Sequence, residues 1–555
     1  MRTACIIPDL LPAIRRGRIM HARGCLMDES GWKSVAREAD LGEGAPIVVE
    51  DGVDKILLVR IEGKIYAVGH ECPHYQEKLE KGALFGTQIV CKSHFARVDV
   101  TTGRVVSPPA LNDLPVYPVK VEAGEVFIGA AVKPKFPKPA AAIGSDPRVF
   151  LIIGAGAAGN MAAETLRREG FAGRILMLTE EDERPYDRPN LSKDFINGKA
   201  GEEWLPLRGP KFYPAQSIEL LTGKQVVALD AAKKRVRLAD GEVIAFDKAL
   251  IATGGSPRPL SIPGGTGDGC LALRTTADAR AILAAAVQSK KVAIIGAGFI
   301  GLELATSLQD RGLEVTVIAP EALPLARVFG DRIGAKIKAM HESRGVRMLM
   351  GTAVQGIGGG MGAKVITISG SKVEADFVVA GLGIQPRIGF LDGSGIVENG
   401  AVPVDERMQT RVPGIFAAGD IAALPDLDTG RRRVEHWVAA ERQGQRAARC
   451  MMDAEPGVME VDVFWTKQAG ASLKYVGHAA EFDQIAYRGV VEEGTFLAGY
   501  YRKGALLAAA TIGMPLDLVA IERLLKYKAA PTAAQFTDGG FDLLSAARKV
   551  PAAGP

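Results

Sequence analysis

Residues 149–159 read VFLIIGAGAAG, an apolar run that leads into three glycines, Gly154, Gly156 and Gly159. The apolar run predicts a buried strand, and the alanine-rich residues after it predict a helix. Glycines at this spacing allow a tight turn that brings a pyrophosphate close to the unpaired N–H groups at the helix N-terminus. The next predicted strand ends at Glu180, whose carboxylate can bind an adenosine ribose. The segment therefore predicts a dinucleotide site, with a purely structural glycine turn as the alternative.

The same pattern returns about 140 residues later, where residues 291–301 read KVAIIGAGFIG. Its glycines are Gly296, Gly298 and Gly301, and the residues 315–318 predict the strand that follows. Two such units predict two Rossmann-like α/β domains, one inserted in the other, that bind two dinucleotides.

The second unit departs from the first at the end of its second strand. The position of the ribose-binding acid is occupied by Ala319, and Pro320 and Glu321 follow it. Without a carboxylate at that position to repel a 2′-phosphate, discrimination against NADP is expected to be relaxed. Arg327 is a candidate contact for that phosphate, with a solvated arginine as the alternative. The predicted substrate is therefore NADH or NADPH.

A cluster of histidines and cysteines lies nearer the N-terminus. Cys72 and His74 form one short group and Cys91 and His94 form another, so each predicted loop supplies one thiolate and one imidazole. A Rieske [2Fe-2S] centre needs this distribution, because one iron takes both cysteines and the other takes both histidines. A single zinc ion is the alternative, although zinc ribbons usually carry their cysteines in close pairs. A coincidental pair of turns is the remaining interpretation.

The residues around these groups have the pattern of a small β domain. The segments 56–60, 64–68 and 116–121 are short, rich in β-branched residues and bounded by Gly or Pro. Residues 95–109, FARVDVTTGRVVSPP, resemble the segment after the second ligand loop in Rieske ferredoxins. We therefore predict an all-β Rieske iron–sulfur domain over residues 31–133.

Composition and charge limit the classes of protein to which the chain can belong. The chain has 555 residues, 47% hydrophobic and 24% charged, which is typical of a soluble globular protein with several domains. A formal net charge of +4 does not indicate a nucleic-acid partner, and no apolar run approaches the roughly 20 residues of a membrane span. The cysteines outside the ligand set are widely spaced, which favours a reducing compartment and a cytoplasmic location. Residues 1–26 are arginine-rich, as transit peptides are, but a disordered tail or an upstream start is favoured.

The later residues resemble a known family. The order of the two glycine units and the sequence AAGD at 417–420 resemble the two-dinucleotide flavoprotein reductases, and PYDRPNLSK at 185–193 is similar to their ferredoxin-reductase-like and apoptosis-inducing-factor-like members. Together with the N-terminal β domain, the chain resembles the Rieske-bearing branch of the apoptosis-inducing-factor-like proteins, from about residue 32 to about residue 546. The resemblance implies that the first glycine unit binds FAD and the second binds NAD(P)H.

The resemblance also implies which residues hold the flavin nucleotide. Ala252, Thr253 and Gly254 match a turn that passes close to it, and Asp420 matches an aspartate that binds ribityl or pyrophosphate oxygens. Arg188, within the matching 185–193 run, is placed in the same site.

A second group of matches implies residues at the isoalloxazine ring. Lys193 and Glu303 match a lysine that can stabilise negative charge on the reduced flavin and a carboxylate that can orient it. A surface lysine and a structural glutamate are the alternatives. His436 and Trp437 match a segment that approaches the flavin, with a satisfied histidine and a core tryptophan as the alternatives.

The predicted fold is multidomain, with the Rieske domain followed by two Rossmann-like domains and a C-terminal α+β interface domain. Residues 148–267 and 385–458 are predicted to form a discontinuous FAD-binding domain around the NAD(P)-binding domain at 268–384. Residues 459–555 form the interface domain. The proline-rich segment 134–147 is predicted to be an extended tether, with an ordered loop packed on the next domain as the alternative.

These features predict an NAD(P)H-dependent reductase that passes electrons through FAD to its own Rieske cluster and on to an external acceptor, for which a ferredoxin, a cytochrome and an oxygenase are the candidates. Residues 185–193 contain no cysteine, so disulfide chemistry at the flavin is not expected. The resemblance of the last portion to the C-terminal interface domain of this superfamily, whose surface can dock a dimer partner or an electron carrier, also makes a homodimer a candidate assembly. An NADH-responsive redox sensor of the apoptosis-inducing-factor type and the reductase component of an oxygenase system remain alternatives. The cluster loops lack an extra cysteine pair and a Ser after His94, which predicts a potential toward the low end of roughly −150 to +300 mV.

Overall fold

The computed structural model describes residues 19–20, 31–137, 142–426 and 429–551. The chain forms two compact units, Met1–Lys135 and Phe136–Pro555. The predicted N-terminal tail, residues 1–30, lies outside the described residues except for 19–20. Within the described ranges, no helix combines the length and apolar character that crossing a bilayer requires.

The first unit is built from short strands. In chain order they are β1 (Ile19–Met20), β2 (Lys33–Arg37), β3 (Ile47–Glu50), β4 (Lys55–Ile61), β5 (Lys64–Gly69), β6 (Ala83–Phe85), β7 (Gln88–Val90), β8 (Arg97–Asp99), β9 (Val105–Ser107), β10 (Val116–Tyr117), β11 (Val119–Glu122) and β12 (Glu125–Ile128). They form three sheets in the orders β1-β3-β4-β5-β10, β11-β12-β2 and β6-β7-β8-β9.

Strand β4 shows why this unit is stable. Successive side chains of a strand point to opposite faces, and here both faces are covered. Leu57 and Val59 pack into one hydrophobic core, and Ile56 and Leu58 pack into the other. The same first core contains Cys72 and Cys91, so the sheets fix both proposed sulfur ligands directly.

The second unit is larger and mixes helices and strands. Its strands are β13 (Val149–Ile153), β14 (Arg174–Leu178), β15 (Ile218–Leu221), β16 (Val226–Asp230), β17 (Arg235–Leu238), β18 (Val243–Ala245), β19 (Lys248–Ile251), β20 (Gly255–Pro257), β21 (Cys270–Ala272), β22 (Lys291–Ile295), β23 (Glu314–Ile318), β24 (Arg347–Leu349), β25 (Val354–Gly358), β26 (Lys364–Ile368), β27 (Ser371–Ala375), β28 (Phe377–Ala380), β29 (Ile384–Pro386), β30 (Val402–Pro403), β31 (Ile415–Ala417), β32 (Ala422–Asp426), β33 (Gly430–Arg432), β34 (Val463–Gln468), β35 (Ala471–Gly477), β36 (Gln484–Val490), β37 (Thr495–Arg502) and β38 (Ala505–Ile512). Its helices are α1 (Ala157–Arg168), α2 (Arg188–Asn190), α3 (Phe212–Ala215), α4 (Thr276–Val287), α5 (Phe299–Asp310), α6 (Ala326–Phe329), α7 (Asp331–Ser343), α8 (Trp437–Met451), α9 (Pro515–Lys526), α10 (Ala533–Thr537) and α11 (Leu543–Lys549).

Two parallel sheets dominate this unit. The first has the order β15-β14-β13-β19-β31 and the second has the order β21-β28-β22-β23-β24. Strand β31 joins the first sheet although it follows every strand of the second sheet in the chain, so the second sheet is an insertion into the first. The multidomain fold class is thereby confirmed, whereas the exact domain boundaries stay predictions.

An antiparallel sheet, β34-β35-β38-β37-β36, follows with α9 to α11. This is the predicted α+β portion at the C-terminus.

Part of the predicted tether packs against the second unit. The ring of Phe136 lies 5.2 Å from that of Phe212 and under the guanidinium of Arg168, and the Gly144 N–H donates to the Ala172 carbonyl at 2.6 Å. An aromatic side chain gains from burial and from a cation over its face, and a fully extended solvated tether would forgo both. The described part of residues 134–147 therefore includes an ordered, packed loop.

Candidate metal centre and active site

The four predicted metal ligands lie on two loops that repeat one backbone pattern. Cys72 N–H donates to the carbonyl five residues later at 2.8 Å, and Cys91 N–H does the same at 2.9 Å. Each cysteine carbonyl accepts from the N–H four residues later, and the residue there has a positive φ, 55° at Gln76 and 64° at Phe95. A left-handed residue turns the chain back sharply, so each loop wraps around its own cysteine.

The loops bring like ligands together. His74 Nδ1 and His94 Nδ1 are 3.1 Å apart, and the thiols of Cys72 and Cys91 share a hydrogen bond. Both cysteines are buried, and both histidines are half-buried. Burial lowers the pKa of His74 to about 4, which keeps its ring in the neutral, metal-binding form. This shared hydrogen bond lowers the pKa of one thiol, Cys91, and raises that of the other, Cys72.

This donor set fits a two-iron cluster. One sulfur pair and one nitrogen pair give each iron of a Rieske centre its two protein ligands. Within the described ranges, no three His, Cys, Asp or Glu side chains converge on the position of a single ion, as a zinc site would require. The observed pairing therefore favours the Rieske interpretation over zinc.

Glu77 connects the two loops, a role that the sequence did not reveal. Its carbonyl accepts the Cys72 N–H of the first loop, and its Oε2 accepts the Ser93 hydroxyl of the second loop at 2.7 Å. Lys92 Nζ lies 3.8 Å from the other carboxylate oxygen. The link ties the two loops together through hydrogen bonds and places a carboxylate near the two cysteines.

The second unit contains a cavity of about 1400 Å³ at the carboxyl ends of the two parallel sheets. This central cavity is lined by Gly154 and Gly156 of the first glycine loop and by Gly296 and Gly298 of the second. Gly156 and Gly298 are the residues before α1 and α5, so the unpaired N–H groups of both helices face the cavity, as phosphate binding requires. Two dinucleotides can therefore meet in one space.

The third glycine of each loop serves packing. A Cβ on Gly159 would lie 1.8 Å from the Gly154 carbonyl oxygen, and a Cβ on Gly301 would lie 2.3 Å from that of Gly296. Neither residue lines the cavity. These two glycines hold helix against strand, and their part in the two nucleotide sites stays a prediction that acts through this packing.

Two carboxylates at the end of β14 are paired with arginines. Glu180 lines the cavity and forms an ion pair with Arg387, which the sequence did not place there. The neighbouring Glu181 accepts from Arg188 at 2.8 Å, and Arg188 also donates to the Tyr186 hydroxyl at 2.6 Å. Arg188 is thereby held along the cavity wall.

The predicted flavin turn is also at the cavity. Ala252, Thr253 and Gly254 line it, and the Thr253 hydroxyl donates to the Arg387 carbonyl at 2.7 Å. Asp420 lines it as well and accepts from Arg274 at 2.9 Å. A Cβ on Gly154 would lie 2.3 Å from the Ala252 carbonyl oxygen, so the turn and the glycine loop touch. This close approach forms a backbone cradle that fits the FAD pyrophosphate.

Lys193 and Glu303 form a buried ion pair in the cavity wall. Lys193 Nζ lies 2.7 Å from Glu303 Oε2, and the two side chains are 11% and 3% exposed. Lys193 belongs to a π-helical turn, Leu191–Phe195, and its backbone angles (φ −116°, ψ −108°) are not helical. Distorted turns of this kind are frequent at functional sites. The Ser192 hydroxyl also donates to Glu303 Oε2, at 2.5 Å.

His436 and Trp437 both line the cavity. The His436 ring stacks on Phe464 at 4.0 Å, and its burial lowers its pKa to about 4. Trp437 begins α8 and packs against the core of the first sheet. The neutral imidazole and the indole therefore form an aromatic wall.

The end of β23, in the second glycine unit, differs from the end of β14 in the first. Ala319 is fully buried in the core and does not line the cavity. Glu321 and Arg327 do line it, so a carboxylate and a guanidinium both reach the predicted nicotinamide-nucleotide side. The chain turns after β23 and carries Glu321 to the cavity wall, two residues beyond the position at which the sequence lacks an acid, so relaxed discrimination against NADP stays a prediction.

Three family models match the chain. The pyridine nucleotide-disulphide oxidoreductase model matches residues 149–444, the reductase C-terminal model matches residues 463–547, and the Rieske [2Fe-2S] domain model matches residues 31–118.

Individual proteins are similar over most of their length. Apoptosis-inducing factor 3 of Homo sapiens is 37% identical over 496 residues, which cover 86% of this chain and 81% of that protein. The anthranilate 1,2-dioxygenase system ferredoxin–NAD(+) reductase component of Burkholderia cepacia is 36% identical over 71% of this chain and 97% of that protein. The crystal structure of the ferredoxin reductase for the CYP199A2 system from Rhodopseudomonas palustris matches 72% of this chain and 100% of that chain with a TM-score of 0.69 and 32% identity.

Proposed function

The chain belongs to the pyridine nucleotide-disulphide oxidoreductase family and is an FAD-dependent NAD(P)H oxidoreductase that carries a Rieske [2Fe-2S] domain, and we propose that it passes electrons from NAD(P)H to that cluster and on to an external acceptor. The Lys193–Glu303 pair carries the proposal, because it stands in a cavity that both glycine loops line. When bound, FAD takes two electrons as a hydride and releases them singly, and the cluster carries one electron at a time.

Different cavity residues have different roles in the proposed reaction. The N-termini of α1 and α5 bind the two pyrophosphates, and Asp420 accepts hydrogen bonds from the sugar portion of the flavin nucleotide. Glu303 holds Lys193 so that its ammonium faces the reacting rings, where a positive charge favours reduction of the flavin. His436 and Phe464 keep water from that side of the cavity.

The composition of the cavity wall supports the exit of electrons through the cluster. No cysteine is present among the described residues that line it, so a dithiol cannot accept the electrons there. The cluster loops on the same chain are the remaining redox centre. We propose a ferredoxin or the ferredoxin-like component of an oxygenase as the acceptor beyond the cluster, because the relative from Burkholderia cepacia is named as a ferredoxin–NAD(+) reductase component.

A redox-sensing role is the second candidate function. It is favoured by one observation, that the human relative named apoptosis-inducing factor 3 covers 86% of this chain whereas the dioxygenase component covers 71%. Rapid reduction of added ferredoxin supports electron delivery. Slow turnover together with a change of oligomeric state on addition of NADH supports sensing. A homodimer and a cytoplasmic location remain proposals on the grounds given from the sequence.

The proposal is tested by anaerobic titration of the whole protein with NADH and with NADPH, followed by visible absorbance and electron paramagnetic resonance. We expect a Rieske-type signal to appear as the flavin absorbance is lost. A fully reduced flavin with no cluster signal, in protein shown by analysis to contain iron and sulfide, contradicts internal transfer.

A further inference from the structure

A chain of buried polar side chains leads from Glu303 into the protein interior. Glu303 Oε1 accepts from the Thr466 hydroxyl at 2.7 Å, and Thr466 in turn accepts from Gln468 Nε2 at 2.7 Å. Gln468 Oε1 lies 3.0 Å from His341 Nε2. All four residues are at most 3% exposed, so each hydrogen bond is shielded from water.

The bonds in this chain have one consistent direction. An amide oxygen only accepts, so His341 Nε2 carries the hydrogen that reaches Gln468. An amide nitrogen only donates, so the Thr466 oxygen accepts from it, and the single hydroxyl hydrogen of Thr466 is left for Glu303. Burial lowers the pKa of His341, which keeps its ring neutral with one N–H to give.

The Glu303 carboxylate is consequently surrounded by donors. Ser192 and Lys193 bind Oε2, and Thr466 and the Lys467 N–H bind Oε1, the last at 3.2 Å. Lys193 Nζ has a second acceptor in the Pro189 carbonyl at 3.1 Å, which leaves one N–H of the ammonium for the central cavity. The position of the carboxylate therefore decides where that last N–H points.

The chain of bonds also links separate elements. Glu303 lies on α5, Thr466 and Gln468 lie on β34, and His341 lies on α7. One turn after Glu303, the Ser307 hydroxyl donates to the Ser192 carbonyl at 2.8 Å, so α5 holds the distorted Lys193 turn by its backbone as well.

We propose that Thr466, Gln468 and His341 form a positioning relay that fixes the Glu303 carboxylate and, through it, aims Lys193 at the nicotinamide and flavin during flavin reduction. The inference rests on the proposed function of the Lys193–Glu303 pair. Well-packed apolar side chains could join the same three elements without the cost of burying polar groups. A fully directed polar chain that ends on the one carboxylate bound to Lys193 therefore indicates a role in positioning.

The test measures the limiting rate constant of flavin reduction by NADH in the whole FAD-loaded protein, by anaerobic stopped-flow absorbance. Thr466→Val removes the donor and keeps the side-chain volume, and we expect the rate to fall about tenfold. Gln468→Met removes both the bond that orients Thr466 and the bond to His341 but leaves the Thr466 hydroxyl free to bind Glu303, and a fall of about threefold is expected. Thr466→Ser should restore the rate, and the apparent Kd for NADH should stay unchanged throughout.

Thr511→Val is the matched control. Thr511 is a buried threonine of the same sheet whose hydroxyl donates to the Phe496 carbonyl at 2.6 Å, away from Glu303. If the relay has only a structural role, Thr466→Val and Thr511→Val should both lower the melting temperature, and both should leave the rate constant of flavin reduction unchanged. That result overturns the relay. If Thr466→Val does not retain FAD, Gln468→Met decides between the same two outcomes.

Lys193→Met separates this inference from the proposed function. A slow Lys193→Met variant with normal rates in Thr466→Val and Gln468→Met overturns the relay alone. A normal rate in Lys193→Met overturns the proposed role of the ion pair, and the relay with it.

Discussion

The cluster loops and the central cavity hold their reactive groups in different ways. The four cluster ligands come from one short stretch of chain, and local backbone turns around Cys72 and Cys91 hold them. Lys193 is instead held by side chains from distant segments, including Glu303. A metal centre depends on a few covalent ligands, so losing one should abolish it. The cavity holds its groups through many weaker contacts, so a single substitution there should lower the rate of flavin reduction only in part.

The largest expected effect is loss of the whole cluster. Cys72→Ser or His94→Ala should remove the iron and sulfide and the Rieske-type signal, because in either variant one of the two irons loses one of its two protein ligands. FAD content and NADH oxidation by small dyes should remain. Cys270→Ser is the control, since this thiol lies in the second unit, where it donates to the Gly264 carbonyl at 3.3 Å. Simultaneous loss of FAD and dye reduction in the ligand variants would show that the two regions do not act separately.

Lys193→Met should lower the rate of flavin reduction by about 100-fold, or about 2.7 kcal/mol, because the charge that favours reduction is removed. The cluster content should be unchanged. Lys199→Met is the control, because Lys199 is 69% exposed and its nearest carboxylate, on Asp310, is 3.9 Å away. Equal rates for the two variants would contradict a role for Lys193 at the reacting centre.

The two regions also differ in how much of each could be predicted from the sequence. The glycine loops and the Cys–His groups are local patterns, because strand, turn and helix or two ligands on one loop are adjacent in the chain. The partners of Glu303 are not local: Ser192 is separated from it by 111 positions and Thr466 by 163. Hydrophobic periodicity identifies the elements that carry such residues, but only tertiary packing decides which ones meet.

Distances within the fold also add detail to two of the predicted sites. Gly159 and Gly301 belong to the fingerprint, yet packing of helix on strand is their role, and that distinction depends on distances of a few ångströms. Glu321 follows the expected position by two residues, and only the turn after β23 decides that it lines the cavity.

A smaller effect is expected at the link between the cluster loops. Glu77→Gln removes a negative charge beside the cluster and keeps an acceptor for Ser93, so the reduction potential should rise by several tens of millivolts, on the order of 1 kcal/mol. Ser93→Ala keeps the charge and removes the bond, so it should change the thermal stability of the cluster more than its potential. Redox titration followed by electron paramagnetic resonance distinguishes the two. A potential that moves only in Ser93→Ala would show that the bond, not the charge, matters.

The smallest expected effect concerns nucleotide choice. Ala319→Glu should raise the preference for NADH over NADPH, measured as the ratio of kcat/KM values, by about threefold, because a carboxylate repels a 2′-phosphate. The effect is small because Ala319 is buried and a new side chain must extend to the cavity. Glu321→Gln should lower the same ratio. If neither variant changes the ratio, another residue of the wall, such as Arg327, sets the preference.

The most direct test of the electron path is the rate of cluster reduction after rapid anaerobic mixing with NADH, followed by freeze-quench electron paramagnetic resonance at several protein concentrations. Transfer within one chain predicts a first-order rate constant for the cluster signal that stays the same when the protein is diluted. A rate that falls in proportion to protein concentration would show that electrons reach the cluster only between molecules and would contradict the account.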